Sequence, residues 1–376
     1  MKVNLIFDTN YLFRKTLGVF AGYGSVNPAE VFSSLEDRAA FIRKVTMDFC
    51  STLRYLPTSA RIIMCVDSSS WRKTIEMDNG GYKAGRKKDE NVDWTIFYQL
   101  MHEFCDHLED LGYVYSKVKT AEADDLIYFW SSYFAKQGEH SIIITGDRDL
   151  HQLVKNSPTG GWTCVLNNNS KNLALYTPFG WKEEINRSEV SIFNMSDSIS
   201  PEKSKLKELS NNIEITEVDP KSIVLEKVLA GDTGDNVPSV WLIDKKGKFH
   251  GMTPKKTDAL YTEIKQSKWS GLTTKEILND SDVILFISGF CLRSLGDVDS
   301  SENRHKLIEN LERNKKLVWL DKDVIPRDLA LEILESISET AHQEIKKLPV
   351  DKDSILKGTE WVTEGYVPKN FNPFAL

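Results

Sequence analysis

Three short apolar runs rich in β-branched residues constrain this chain more than any other feature: Val3-Asn4-Leu5-Ile6-Phe7, Arg61-Ile62-Ile63-Met64-Cys65-Val66 and Ser141-Ile142-Ile143-Ile144-Thr145. Continuous apolar runs of this kind, as opposed to alternating ones, mark strands covered on both faces, the situation in a mostly parallel sheet. Parallel neighbours need long crossovers, and helical patterns fill the intervals. Phe41, Ile42, Val45, Phe49, Leu53 and Leu56 recur at 3–4 residue spacing within 36–56; Trp94, Phe97, Leu100, Met101, Phe104, Cys105 and Leu108 do so within 93–111. The expectation is an α/β fold with a mostly parallel central sheet flanked by helices.

Trp162–Leu166 and Asn172–Tyr176 flank Asn-Asn-Asn-Ser-Lys and read as a hairpin. Residues 186–220 are rich in Ser, Asn, Lys and Glu and read as a flexible insertion or linker. From about 221 the patterns are helical, over 255–267, 273–288, 303–314 and 326–346. At 376 residues the chain is more comfortable as a large unit plus a smaller one. The expected divisions are an α/β core over 1–185 containing a basic segment at 68–92, the linker at 186–220, a helical region at 221–290 and a helical end at 291–376. No apolar stretch approaches the roughly 20 residues that cross a bilayer. The start, MKVNLIFD, has an acid at position 8 and no small-residue cleavage site, so it does not read as a signal peptide. Five cysteines without close pairs argue against a disulfide framework or a cysteine zinc site and favour a reducing cytoplasm.

Each apolar run passes directly or within two residues into an aspartate: Asp8, Asp67 and Asp147. In open parallel sheets the functional crevice lies beyond the carboxyl ends of the strands, so three acids are expected on one edge. Glu122 and Asp125, three apart at the start of a helical pattern, join them with Asp124; Asp149 lies two past Asp147; Asp232 and Asp235 come from the Gly-rich Gly231-Asp232-Thr233-Gly234-Asp235-Asn236. An aspartate after a strand is commonly a cap or turn former, and acids at a helix start are favoured by its dipole. Capping does not require every strand to end in acid, however, and clustered carboxylates repel unless protons or cations neutralise them. An all-oxygen donor set suits Mg²⁺ or Mn²⁺, and two such ions clamping a phosphodiester imply its hydrolysis. The net charge of −7 is compatible with this when acids gather around metal.

IFDTN, CVDSS, AEADDL, TGDRDLHQLV and GDTGDNVPSV, in this order, resemble the flap endonuclease/5′-3′ exonuclease family over about residues 1–270. The end, NRHKLIENLERNKKLVWLDKDVIP, and Trp94 are similar to its T-even phage RNase H subgroup. The resemblance implies a PIN-like 5′-nuclease core with a helical C-terminal domain that contains a helix-hairpin-helix-like motif. It implies two Mg²⁺, replaceable by Mn²⁺, with Asp8, Asp67, Glu122 and Asp124 around the first, Asp147 between them, Asp149, Asp232 and Asp235 at the second, and Asp125 as a further matching acid. It also implies DNA and RNA·DNA duplexes with 5′ ends or flaps as substrates, and a phage protein working as a monomer in the bacterial host cytoplasm.

Between Arg72 and Lys88 six basic residues (Arg72, Lys73, Lys83, Arg86, Lys87, Lys88) face two acidic ones. An isolated charge run is usually a solvated loop. This one follows Asp67, so its cations can stabilise charge on a phosphate, Tyr82 can stack a base, and Arg72, Lys73, Lys87 and Lys88 are expected to bind nucleic acid; in the resemblance it is the family's helical arch, with Lys83 and Arg86 as the matching catalytic cations. Gly251-Met252-Thr253-Pro254-Lys255-Lys256 is similar to the family's hairpin turn, where Gly251, Thr253, Lys255 and Lys256 would meet duplex phosphates. Thr253 stands where a second Gly is commoner, and residues 241–250 interrupt the spacing. The alternative for that segment is an ordinary basic helix start. The terminal Phe371, Phe374 and Leu376 would either pack on their own domain or dock on a sliding clamp or single-strand-binding protein. Two other functions compete with the nuclease: a catalytically weak branched-DNA binder, against which the full acid set argues, and a toxin-type ribonuclease, which would lack the arch and the long helical half.

Overall fold

The computed structural model describes residues 3–22, 31–53, 59–157, 159–168, 173–179, 213–342 and 348–349. Most of the 186–220 segment and all of the terminal Phe371, Phe374 and Leu376 therefore lie outside the described residues. Two compact units emerge: the first comprises Met1–Ser70, Lys88–Val218 and Arg327–Leu376, the second Trp71–Lys87 and Asp219–Pro326.

The first unit opens with β1 (Val3–Asp8), α1 (Thr9–Gly22), α2 (Leu35–Leu53), β2 (Ser59–Cys65) and α3 (Trp94–Asp110). It continues with β3 (Val114–Ser116), α4 (Ala123–Lys136), β4 (His140–Ile144), β5 (Lys155–Asn156), β6 (Trp162–Asn167), β7 (Leu173–Thr177) and β8 (Ile213–Glu217). The predicted runs are adjacent strands, in the order β2-β1-β4-β6-β7-β8, and β1 is parallel to both β2 and β4. All six residues of β1 are buried, as a strand between two parallel neighbours with helices on its faces must be. β6 and β7 form the predicted antiparallel pair. α3 begins where Asp93 accepts the Ile96 N–H at 3.1 Å, and it buries Phe97, Leu100, Met101, Phe104, Cys105 and Leu108. Phe13 on α1, a helix absent from the sequence expectation, packs edge-on against Phe41, Phe97 and Phe104 at 5.9, 5.9 and 5.6 Å. The β-branched-poor stretch after Asp8 hid that helix, because Thr9, Asn10 and Tyr11 look like a loop in composition.

The second unit contains α5 (Pro220–Ala230), the hairpin β9 (Leu242–Lys245) and β10 (Lys248–Gly251), then α6 (Pro254–Gln266), α7 (Thr274–Asn279), α8 (Ser281–Leu295) and α9 (Ser301–Val318). The residues that interrupt the expected spacing at 241–250 are this β-hairpin. One helix was expected over 273–288, but Asp280 ends α7 and caps α8 through the N–H groups of Asp282 and Val283, splitting it. Leu225, Leu229, Leu260, Ile287, Leu307 and Leu311 meet in the core. α10 (Arg327–His342) belongs to the first unit, as does β11 (Leu348–Pro349), which pairs antiparallel with β2.

One buried group in α3 gives a stability test away from the strand ends. Glu103 is 2% exposed; one carboxyl oxygen accepts the Gln99 amide at 2.9 Å and the other has no hydrogen bond. Burial pushes its pKa up to about 7 from 4.5, against the opposing pull of Gln99 and Arg38. The folded chain thus retains a proton that the unfolded chain releases, and stability from this group is full below pH 4.5 and lost as pH rises through 7. Glu103→Gln keeps the shape and cannot ionise, so in denaturant titrations it should exceed the wild type by about 2 kcal/mol at pH 8. At pH 4.5 the two should coincide; a gain independent of pH would refute the assignment.

Candidate active site

Because β1 lies between β2 and β4, the aspartates that follow these strands share one sheet edge. Asp8, on the last residue of β1, is 7% exposed. Its Oδ1 accepts the Tyr11 N–H at 3.0 Å and its Oδ2 the Thr145 hydroxyl at 2.9 Å. Burial is the largest influence on its carboxyl and pushes it up to about 7; the negative charges of Asp67 and Asp147 push the same way. Tyr11 and Thr145 oppose them through hydrogen bonds to the charged form. The charges of Asp67 and Asp147 both act on Asp8, and a cation or a proton at this edge would relieve that repulsion.

The other carboxylates of the first unit are oriented by backbone N–H groups. Asp67 Oδ1 accepts from the Ala123 N–H at 2.7 Å, tying the end of β2 to the start of α4, while the Asp67 N–H donates to Asn10 Oδ1 at 3.1 Å. Glu122 is the N-cap of α4 and 5% exposed. Asp125 is fully buried and accepts the Glu122 N–H at 3.1 Å, so it serves the helix start. Asp124 faces a partly open position. Asp147 Oδ1 accepts the Asp149 N–H at 2.8 Å, and its own N–H donates to the Thr145 hydroxyl at 3.0 Å. The capping reading and the site reading thus describe the same residues: local N–H groups fix the carboxylates in place. Gly146 allows this packing, because a Cβ there would stand 2.3 Å from the Tyr11 ring. Among the described residues no three acid, imidazole or thiol groups form a closed metal cage. The donor chemistry, carboxylates alone, nonetheless fits a divalent cation.

Two supports escaped the sequence reading, although both lie inside the quoted motifs. Thr145 holds Asp8 and Asp147 together, and Asn10 steadies Asp67. Their signal was a polar residue two places from an acid, which only the sheet order makes meaningful.

In the second unit Asp232 and Asp235 have other partners. Gly231 has φ 80°, and a Cβ on it would stand 2.4 Å from the Val237 carbonyl, so only Gly closes this turn. Asp232 pairs with Lys227 and accepts the Gly234 N–H at 2.8 Å. Burial pushes its carboxyl up, but Lys227 and the Gly234 and Asp235 N–H groups outweigh burial and hold it below the ordinary value. Asp235 accepts the Tyr82 hydroxyl at 3.0 Å, pairs with Arg86 and has Lys83 Nζ at 3.9 Å. Asn236 clips the same segment, with its amide on the carbonyls of Asn79 and Gly81 at 3.1 and 2.8 Å.

The basic segment differs from expectation in three respects. Its described helical content is one 3₁₀ turn, Trp71–Thr74, and Lys83 adopts φ 60°, so Lys83 and Arg86 converge through a turn and their common counter-ion, not along an α-helix. Tyr82 is 7% exposed within the core, with Lys83 Nζ 4.8 Å over its ring, so it is packed and not presented for stacking. Arg72 is 2% exposed with its guanidinium 4.7 Å over Trp71, which removes it from the surface contacts. Lys73, Arg86, Lys87 and Lys88 are exposed. At the hairpin turn Thr253 caps α6 by accepting the Lys256 N–H at 3.4 Å, Lys255 is exposed, and Gly251 lies against Ser239, where a Cβ would be 2.7 Å away.

A mostly parallel sheet whose adjacent strands β1, β2 and β4 run towards carboxylates on one edge is the arrangement of a resolvase-like domain of the PIN type. Residues 22–186 match the family described as 5′-3′ exonuclease, N-terminal resolvase-like domain. The match covers somewhat less than half of the chain, and over that part the chain is similar to the 5′-3′ exonuclease family. It is 24% identical over 107 residues to ribonuclease H of Enterobacteria phage T4; the match covers 27% of this chain and 35% of that protein, about a third of its length. The T5 protein crystallised with metal ions shares the fold at TM-score 0.51 and 15% identity, over 90% of this chain and all of that one. The bacteriophage T5 flap endonuclease in complex with DNA and metal ions does so at TM-score 0.50 and 14% identity, over 91% of this chain and all of that one. No described helix is long and apolar enough to cross a membrane.

Proposed function

We propose that this protein is a structure-specific 5′-3′ nuclease of the RNase H and flap endonuclease type. It would hydrolyse phosphodiester bonds at the 5′ ends of RNA·DNA and DNA duplexes and remove RNA primers during phage replication in the host cytoplasm. The observation that carries this reading is that Asp67 and Asp147, which follow the parallel neighbours of β1, both bring their charge to bear on Asp8 at its end. Asp8, Asp67, Glu122 and Asp124 would hold one Mg²⁺, with Asp147 and Asp149 turned to a second. Divalent ions held there would neutralise phosphate charge and lower the pKa of an attacking water.

The chain's own contribution is orientation. Tyr11 and Thr145 hold Asp8, the Ala123 N–H holds Asp67, and the Asp149 N–H holds Asp147, so little rearrangement is required of the carboxylates when substrate arrives. Lys83 and Arg86 would bind phosphate, as would Lys73, Lys87, Lys255 and Lys256. Contacts of this kind carry no base information, so cutting would follow structure and not sequence.

A second reading, the catalytically weak branched-DNA binder, draws on Asp232 and Asp235, whose partners are lysine and arginine. A 5′-labelled flap duplex and an RNA·DNA hybrid, each with Mg²⁺ or with EDTA, decide between the two. Short 5′ products or cuts at the flap junction that vanish in EDTA support the nuclease. Binding without cleavage in either Mg²⁺ or Mn²⁺ favours the binder, and the ratio of RNA to DNA products states the preference.

A further inference from the structure

α1 leaves Asp8 and carries a line of polar side chains away from it. Tyr11 lies against Gly146 and its N–H holds Asp8. Arg14 follows three residues later on the same helix face. It is exposed, its guanidinium sits 5.2 Å from the centre of the Trp94 ring, and it donates to the Tyr98 hydroxyl at 3.1 Å. Lys88, also exposed, stands 5.6 Å from the centre of the Tyr98 ring. Two cations therefore rest on a pair of neighbouring aromatic rings, within the unit that holds the strand-end acids.

These rings are fixed. Trp94 packs on Phe97 at 5.2 Å and its indole N–H donates to the Asp89 carbonyl at 2.9 Å; Tyr98 is only 9% exposed. The nearby acids are engaged elsewhere: Asp89 accepts the Asn91 N–H at 3.0 Å, and Asp93 caps α3. Among the described residues neither Arg14 nor Lys88 forms an ion pair with a carboxylate. A cation over an aromatic face is common and by itself only covers apolar surface. Here it is pre-positioned, unneutralised and beside a phosphodiester-directed acid cluster in a chain of net charge −7.

We propose that Arg14 and Lys88, held on Trp94 and Tyr98, form a phosphate-binding track for the single strand that runs out from the carboxylates; the proposal rests on the nuclease reading. Arg14 is six residues beyond Asp8, about 9 Å along the helix at 1.5 Å per residue. Duplex phosphates rise about 3.4 Å per strand along the axis and those of an extended single strand are spaced more widely, so that is at most two nucleotides from the acids. A single row of cations on aromatic rings matches one strand with its bases turned to one side. A duplex would need contacts spread across two backbones.

Fluorescence anisotropy in EDTA, with a short single strand, a flap duplex and a blunt duplex as labelled probes, tests this without cleavage. Arg14→Ala should weaken single-strand and flap binding about tenfold and lower the salt slope by about one, leaving the blunt duplex unchanged. Arg14→Lys should retain the salt slope, and Lys88→Ala should repeat the Arg14→Ala pattern more weakly. Unchanged binding by both alanine variants overturns the track. Equal loss on the blunt duplex overturns the single-strand assignment. A wild type that cuts neither the flap duplex nor an RNA·DNA hybrid in Mg²⁺ refutes the nuclease reading itself, which separates the two failures.

Discussion

Asp147→Asn should lower cleavage of a flap duplex by at least about a thousandfold while changing its dissociation constant in EDTA by less than about threefold. Asn preserves the acceptor for the Asp149 N–H and the size of the side chain, so the turn after β4 should persist. What disappears is one negative charge from the group that raises the Asp8 carboxyl. Because that charge repels its neighbours in the metal-free protein, the variant should also be at least as stable as the wild type in EDTA. Wild-type turnover in Asp147→Asn would remove the strand-end acids from the mechanism.

Asp235 should behave in the opposite way. It is the common acceptor for Tyr82, Lys83 and Arg86, and the Lys83 N–H also donates to its carbonyl at 2.8 Å. Asp235→Ala removes the acceptor of a buried hydroxyl and brings two cations together without their counter-ion. A loss of about 2 kcal/mol in metal-free denaturant titrations is expected, a figure already reduced because Arg86 is half exposed. Asp235→Asn should fall between, since it can still accept from Tyr82. A metal ligand sitting among repelling acids would give the reverse sign, with the alanine variant stabilised in EDTA. The sign of one melting experiment therefore distinguishes a counter-ion from a ligand.

Much of the first unit was legible because its determinants are local. The three runs that became β1, β2 and β4 have the composition of doubly covered strands, and the acids after them were visible as a pattern of one residue type in one repeated place. α2, α3 and the helices near 255–267 and 303–314 followed from apolar spacing alone. The basic segment was less legible. Six cations between Arg72 and Lys88 read as a surface, yet Arg72 and Tyr82 are interior while Lys73, Arg86, Lys87 and Lys88 are outside. Charge and aromaticity state what a side chain is able to do, whereas its burial depends on what covers it.

By itself, then, the sequence determined the three central strands, the β6–β7 pair, the helices α2 and α3 and the identity of the acids that follow the strands, because hydrophobic period suffices for these. The tertiary structure alone decided that β1 lies between β2 and β4, so that Asp8 is the crowded member of its trio, and that Thr145 and Asn10 hold the cluster in place. It alone assigned Asp235 to Tyr82 and Arg86, residues about 150 positions away. Such pairings depend on which surfaces come together when two distant segments pack, and that choice leaves no periodic trace in the chain.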